Sequence, residues 1–200
     1  MTSTRSYRMS TRAAATEATR ERIVEAACDA FNNSWYDDVT IRGIAAAAGV
    51  ALQTVVNHFA TKEALFIAAN ERNVERIERT RWGAAPGDVS GAVSALVDDY
   101  ERNGDATIRT LAVEEHVPVV GPSIEQGRQG HERWVQEMFP EAIDGLTGAE
   151  RKRRVAQLVA VTDVYTWKLL RRDKRLSREQ TITAMCELVL AMHPNKQGGS

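Results

Sequence analysis

The 200-residue chain has little cysteine, little proline and few aromatic residues, and no charge of one sign dominates it. Two cysteines, Cys28 and Cys186, cannot staple a fold of this size or hold a zinc without several histidine partners. They read as small buried hydrophobes in a reducing compartment. Five prolines and 6% aromatic residues leave Ala, Val, Leu and Ile to carry most of the 43% that is apolar. That balance favours helices over a β-sandwich. No apolar run reaches the roughly 18–20 residues that cross a bilayer, and the N-terminus has no apolar signal region. A soluble, cytoplasmic chain with no membrane partner is expected. Gly-rich phosphate loops, nucleophile motifs and paired cysteines are also missing, so no enzyme, catalytic residue or cofactor is expected. The formal charge is −1, from 26 basic and 27 acidic residues, and it divides as +1 over residues 1–82 and −2 over 83–200. Any nucleic-acid binding must therefore come from a local surface.

Residues 1–16, with Arg5, Arg8 and Arg12 and no acid, show no apolar periodicity and read as a mobile basic arm. Periodicity then begins. Ile23, Ala26, Ala27, Ala30 and Phe31 form one stripe on a helix from about Ala18 to Asn32. Thr40 is the side-chain N-cap of a short helix carrying Ile41, Ile44, Ala45 and Ala48, and Gly49 stops it. A second short helix runs from Leu52 to His58 with Val55 and Phe59 as core contacts. Thr61 caps a longer one from Lys62 to about Arg81. GAAPGD at 83–88 is the clearest break. Further helices are expected at roughly 89–103, 105–116, 122–139, 150–171 and 177–192, and no period-two strand pattern appears. The fold class is all-α.

The stretch TIRGIAAAAGVALQTVVNHFATK, Thr40 to Lys62, reads as helix, tight glycine turn, helix. That is the helix-turn-helix layout, whose second helix enters the major groove of DNA. Ala45, Ala46 and Ala48 allow the helices to cross closely, and Val50 plugs their angle. The second helix combines a sparse apolar face with Gln53, Thr54, Asn57 and His58 opposite. Gln and Asn suit bidentate reading of adenine, and Thr can meet a base or a thymine methyl. Thr40, Arg42 and Lys62 stand where phosphate contacts should flank the reading helix. A purely structural helical hairpin is the competing reading.

From Arg20 to Phe66, RERIVEAACDAF followed by VTIRGIAAAAGVALQTVVNHFATKEALF resembles the N-terminal domain of the tetracycline-repressor (TetR) family. Thr40, Ile44, Ala45, Ala48, Gly49, Val50, Thr54, Phe59, Lys62, Glu63 and Leu65 stand where that family's pattern expects them. Two residues depart from it. Ala51 replaces a capping Ser, and such caps are worth about 1 kcal/mol. Val56 replaces a Tyr that bonds a phosphate. The resemblance implies a three-helix DNA-binding domain at 17–66, joined by a long helix to a helical ligand-binding and dimerisation domain at 67–192; the tail HPNKQGGS at 193–200 reads from its composition as disordered. The partners it implies are double-stranded operator DNA, an unidentified small-molecule effector and a second copy of the chain in a homodimer. The expected function is a ligand-responsive transcriptional regulator, most simply a repressor released from a near-palindromic operator. The alternative is a helical small-molecule-binding or scaffolding protein whose helix-turn-helix no longer binds an operator.

Beyond the helix-turn-helix the residues are less specific. Tyr100, His116, Trp134, Phe139 and Trp167 are large side chains suited to lining an apolar cavity, although each is also ordinary core material. The last two helices are apolar over more than one stripe, which points to a second buried contact. Leu158, Val161, Tyr165, Met185, Leu188, Val189 and Met192 are the candidate dimer residues. His116 after Glu114 and Glu115, with His131 beyond, matches no recognised metal spacing, so no metal is assigned. RKRR at 151–154 and RRDKR at 171–175 read as solvated helix ends.

Overall fold

The computed structural model describes the backbone of residues 3–193 and the side chains of 13–193. The arginines at 5, 8 and 12 and the tail from 194 onward therefore lie outside the described side chains. Among the described residues all regular structure is helical. The chain forms two compact units, one ending at Asn73 and the other starting at Val74.

The first unit contains α1 (Ser3–Asn33), a 3-10 turn (Tyr36–Asp38), α2 (Ile41–Ala48), α3 (Leu52–His58) and the start of α4 (Lys62–Arg81). Its core joins Ile23, Val24, Ala27 and Cys28 of α1 to Ile44, Ala45 and Ala48 of α2, Val55 of α3 and Leu65 and Ala69 of α4. Phe31, Tyr36 and Phe66 close one side as an aromatic cluster with centroids 5.2–5.7 Å apart. Helix α1 starts at Ser3, well before the expected start near Ala18. The segment has neither glycine nor proline and includes Ala13, Ala14 and Ala15, so its backbone favours helix. Residues 13–18 are all exposed, which is why no apolar period announces that part of the helix.

The second unit holds the rest of α4, then α5 (Val89–Ala112), a 3-10 turn (Pro118–Val120), α6 (Gly121–Met138) and α7 (Pro140–Ile143). After these come α8 (Gly148–Thr162), α9 (Val164–Lys168), a π turn (Leu169–Asp173) and α10 (Arg178–Leu190). Leu96, Tyr100, Trp134, Phe139, Leu158, Trp167, Met185 and Val189 anchor its core. Two expectations are corrected here. The helices expected at 89–103 and 105–116 are one helix, α5, ending at Ala112. Gly104 does not break it; a Cβ there would lie 2.5 Å from Trp167 Cζ3, so the glycine makes room for the indole. The helix expected over 150–171 is instead interrupted at Asp163, whose backbone is extended (φ −68°, ψ 153°) and whose carboxylate accepts the Tyr165 N–H at 2.8 Å. A capping box between Ser177 and Gln180 starts α10.

Candidate nucleic-acid interface

The helix-turn-helix forms from local chemistry. Thr40 is extended, and its Oγ1 accepts the Gly43 N–H at 3.0 Å, which fixes the first turn of α2. Gly49 takes the left-handed conformation (φ 65°) and ends α2, and the Val50 N–H then donates to the Ala45 carbonyl at 3.0 Å. Ala51, extended at the start of α3, contributes no side-chain cap. Val55 and Phe59 bury the inner side of α3. Gln53 and Asn57 are exposed on its outer side, and the Gln53 Nε2–H donates to Asn57 Oδ1 at 2.9 Å. Thr54 and His58 are half-buried beside them.

Of the expected phosphate contacts, Thr40 and Arg42 are exposed. Lys62 is half-buried, with its ammonium 4.3 Å from the centroid of the Tyr36 ring and 3.4 Å from the Asp37 carbonyl oxygen. Burial pushes the Tyr36 phenol up to about 12, helped by the charges of Glu63 and Asp37, so Lys62 faces a neutral ring. Glu63, fully exposed in the first turn of α4, has its carboxyl held below the usual range by its own backbone N–H and by the Thr61 hydroxyl. The N-terminus of α4 thus already carries a carboxylate next to Lys62.

In the second unit, Tyr100, Trp134, Phe139 and Trp167 are almost fully buried and packed as core, and the first two of them border a polar cluster. The Tyr100 hydroxyl donates to the Thr162 carbonyl at 3.0 Å, and Trp134 Nε1–H donates to the Arg81 carbonyl at 3.1 Å. His116 is exposed, apart from that core, and the preceding Glu114 forms a two-pronged pair with Arg128 at 2.7 Å. An open groove of about 420 Å³ along α6 is lined by Gln129, Glu132, Arg133, Gln136 and Glu137, none of which stands out in the sequence. Of the residues expected at a dimer contact, Leu158, Met185 and Val189 have no exposed surface in the single chain, because they fill its own core. Val161 and Met192 are half-buried, and Tyr165 and Leu188 are exposed.

The family model described as bacterial regulatory proteins, tetR family, matches residues 23–69, which span the end of α1, all of α2 and α3 and the first turns of α4. Residues 23–69 form a TetR-family helix-turn-helix domain. No curated protein matches the chain in sequence. Solved structures share its fold. A TetR-family transcriptional regulator from Streptomyces coelicolor superposes with a TM-score of 0.68 at 17% identity, over 88% of this chain and 79% of that one. The multidrug binding protein EbrR, solved with imidazole, gives 0.61 at 20% identity over 90% and 92%. SmeT in complex with triclosan gives 0.64 at 19% identity over 92% and 96%. Among the described residues no helix is long and apolar enough to cross a membrane.

Within the TetR-family domain the two departures have visible consequences. The N–H groups at the start of α3 have no side-chain acceptor at Ala51, and Val56 presents only methyl groups, 38% exposed, where a phosphate-bonding phenol would stand. Sequence reasoning missed two features. Leu52 is 40% exposed; its i, i+3, i+7 spacing with Val55 and Phe59 places it near the inner face on a helical wheel, so the sequence pattern alone conceals that exposure. The other is a buried cluster of Arg81, Asp99, His131 and Thr162, which no sequence spacing announces.

Proposed function

We propose that the protein is a transcriptional regulator that binds a near-palindromic operator as a homodimer and releases it when a small molecule binds the C-terminal unit. The observation that carries this reading is the outer side of α3. Its exposed amides, Gln53 and Asn57, stand beside Thr54 and His58 within a TetR-family domain, and their mutual hydrogen bond leaves the Gln53 Oε1 and the Asn57 Nδ2–H groups free for an adenine edge. Thr40, Arg42 and Lys62 are the proposed phosphate contacts. EbrR and SmeT, whose structures hold imidazole and triclosan, support a ligand-responsive C-terminal unit in a protein of this fold.

Exposed apolar side chains on the last helices, Tyr165 at 52%, Leu188 at 40% and Leu190 at 51%, support a homodimer contact there. Helix α4 carries Lys62 in its first turn and Arg81 in its last and is shared between the two units, so it is the proposed route from effector to reading head. Such an effector must bind the DNA-free arrangement better, with a coupling of about 1–3 kcal/mol. A gel-shift titration against the DNA flanking the protein's own gene tests the reading. A discrete complex competed poorly by random duplex is expected. Binding no tighter than to random DNA would favour a helical small-molecule-binding protein instead.

A further inference from the structure

Two aliphatic side chains of α3 keep exposed surface on the flank between the buried face and the amides. Leu52 and Val56 stand one turn apart, 40% and 38% exposed, as Gln53 and Asn57 do beside them. Val55 and Phe59 supply the fully buried contacts of α3, while Leu52 and Val56 each keep more than a third of their surface exposed beyond them. Helix α3 has no Lys or Arg and therefore offers no bidentate cation to guanine O6 and N7. It offers amides that match adenine and methyl groups that match the thymine 5-methyl, the apolar feature of the major-groove edge. Four residues of helix rise about 6 Å, close to two base steps of about 3.4 Å, so the pair matches two thymines about two steps apart.

Resting on the operator-binding reading above, we infer that Leu52 and Val56 determine specificity by contacting thymine 5-methyl groups, which makes the half-site A·T-rich beneath α3. The amides of Gln53 and Asn57 then take the adenines of the same base pairs or their neighbours. The inference deepens the proposed function: at Val56 the helix meets a base through methyl groups, where a tyrosine would meet a phosphate through its hydroxyl.

Duplexes enriched from a random library by the full-length protein supply the probe. Each half-site thymidine is then replaced singly by deoxyuridine, which removes only the methyl group. The expected result is an A·T-rich half-site in which deoxyuridine at one or two positions weakens binding about fourfold, as for one methyl-sized group withdrawn from an apolar contact. Leu52→Ala and Val56→Ala should each abolish that sensitivity at one position without changing the salt dependence. The substitution in the DNA needs no protein variant, so the test does not depend on the variants folding. Tight binding that ignores every deoxyuridine, or a half-site of G·C pairs, overturns the inference and leaves the operator reading standing. Failure to enrich any duplex overturns the operator reading and the inference with it.

Discussion

Arg81, in the last turn of α4, is joined to the buried carboxylate of Asp99 on α5, with Nε 2.7 Å and Nη2 2.6 Å from Oδ2. Asn103 donates to the other carboxylate oxygen at 2.7 Å, and the guanidinium lies 5.0 Å from the centroid of the Tyr100 ring. The pair costs desolvation to bury, but removing one partner leaves the other charged and unpaired in a dry site. Asp99→Ala is therefore expected to cost about 3–5 kcal/mol. The double replacement Arg81→Met with Asp99→Leu should cost less than Asp99→Ala alone. Urea unfolding followed by tryptophan fluorescence checks this, since Trp82, Trp134 and Trp167 all lie in that unit. A double variant less stable than the single one would show that the charges are stabilising beyond their mutual compensation.

His131 extends the same cluster and gives it a pH dependence. Arg81 Nη1 lies 3.3 Å from Nδ1, so that nitrogen accepts, and the Nε2–H is left to donate to Thr162 Oγ1 at 3.0 Å. The Thr162 hydroxyl passes on to the Leu158 carbonyl at 2.7 Å. Burial, and then the neighbouring Arg81 charge, lower the His131 pKa from 6.5 to about 3. Between those values the unfolded chain binds a proton that the folded chain does not. The stability from keeping His131 neutral is therefore complete above about pH 6.5 and falls as pH drops toward 3, at up to about 1.4 kcal/mol per pH unit. His131→Gln removes this contribution, so the stability difference between the two proteins should shrink from pH 7 to pH 4.5. A difference that stays constant across that range would mean the imidazole is not excluded from protonation by the fold.

At α3, the proposed reading helix, Gln53→Ala and Asn57→Ala should each cost about 1–3 kcal/mol on the selected duplex and little on random DNA. Their hydrogen bond to each other predicts non-additivity, because either single change already releases the other amide from its fixed orientation. Fluorescence-anisotropy titrations of both singles and the double measure the coupling. Equal losses on selected and random DNA would remove both residues from base reading.

The legibility of this chain follows the distance over which each feature is decided. Thr40 with Gly43, Gly49 with Ala45, and Ser177 with Gln180 are pairs within five residues, so caps and turn are readable as sequence. Gly104 reads as a break between helices because its meaning lies in Trp167, 63 positions away. Arg81 finds Asp99 and His131 only through the packing of α4, α5 and α6, with separations of 18 and 50 residues. The large aromatics are the hardest to assign. Tyr100, Trp134, Phe139 and Trp167 are apolar bodies whether they fill a core or line a cavity, and in this structure they fill a core. Breadth of apolar coverage on the last helix likewise includes Met185 and Val189, which serve the chain's own interior.

Leu188 distinguishes the core face of α10 from the face proposed for the dimer. It lies one turn beyond the fully buried Met185 and beside the fully buried Val189, yet is itself 40% exposed. A charge at Leu188 should therefore leave the single chain folded while placing an unpaired carboxylate in any contact formed by this face. Leu188→Glu is expected to sediment as a monomer with an unchanged helical spectrum. Helix-turn-helix dimers engage two half-sites about 34–36 Å apart or multiples of that spacing, so a monomer keeps only one set of base and phosphate contacts. Its affinity for the two-half-site duplex should drop toward that for a single half-site, although α3 is untouched. Sedimentation of the variant as a dimer would place the subunit contact elsewhere than on this face of α10.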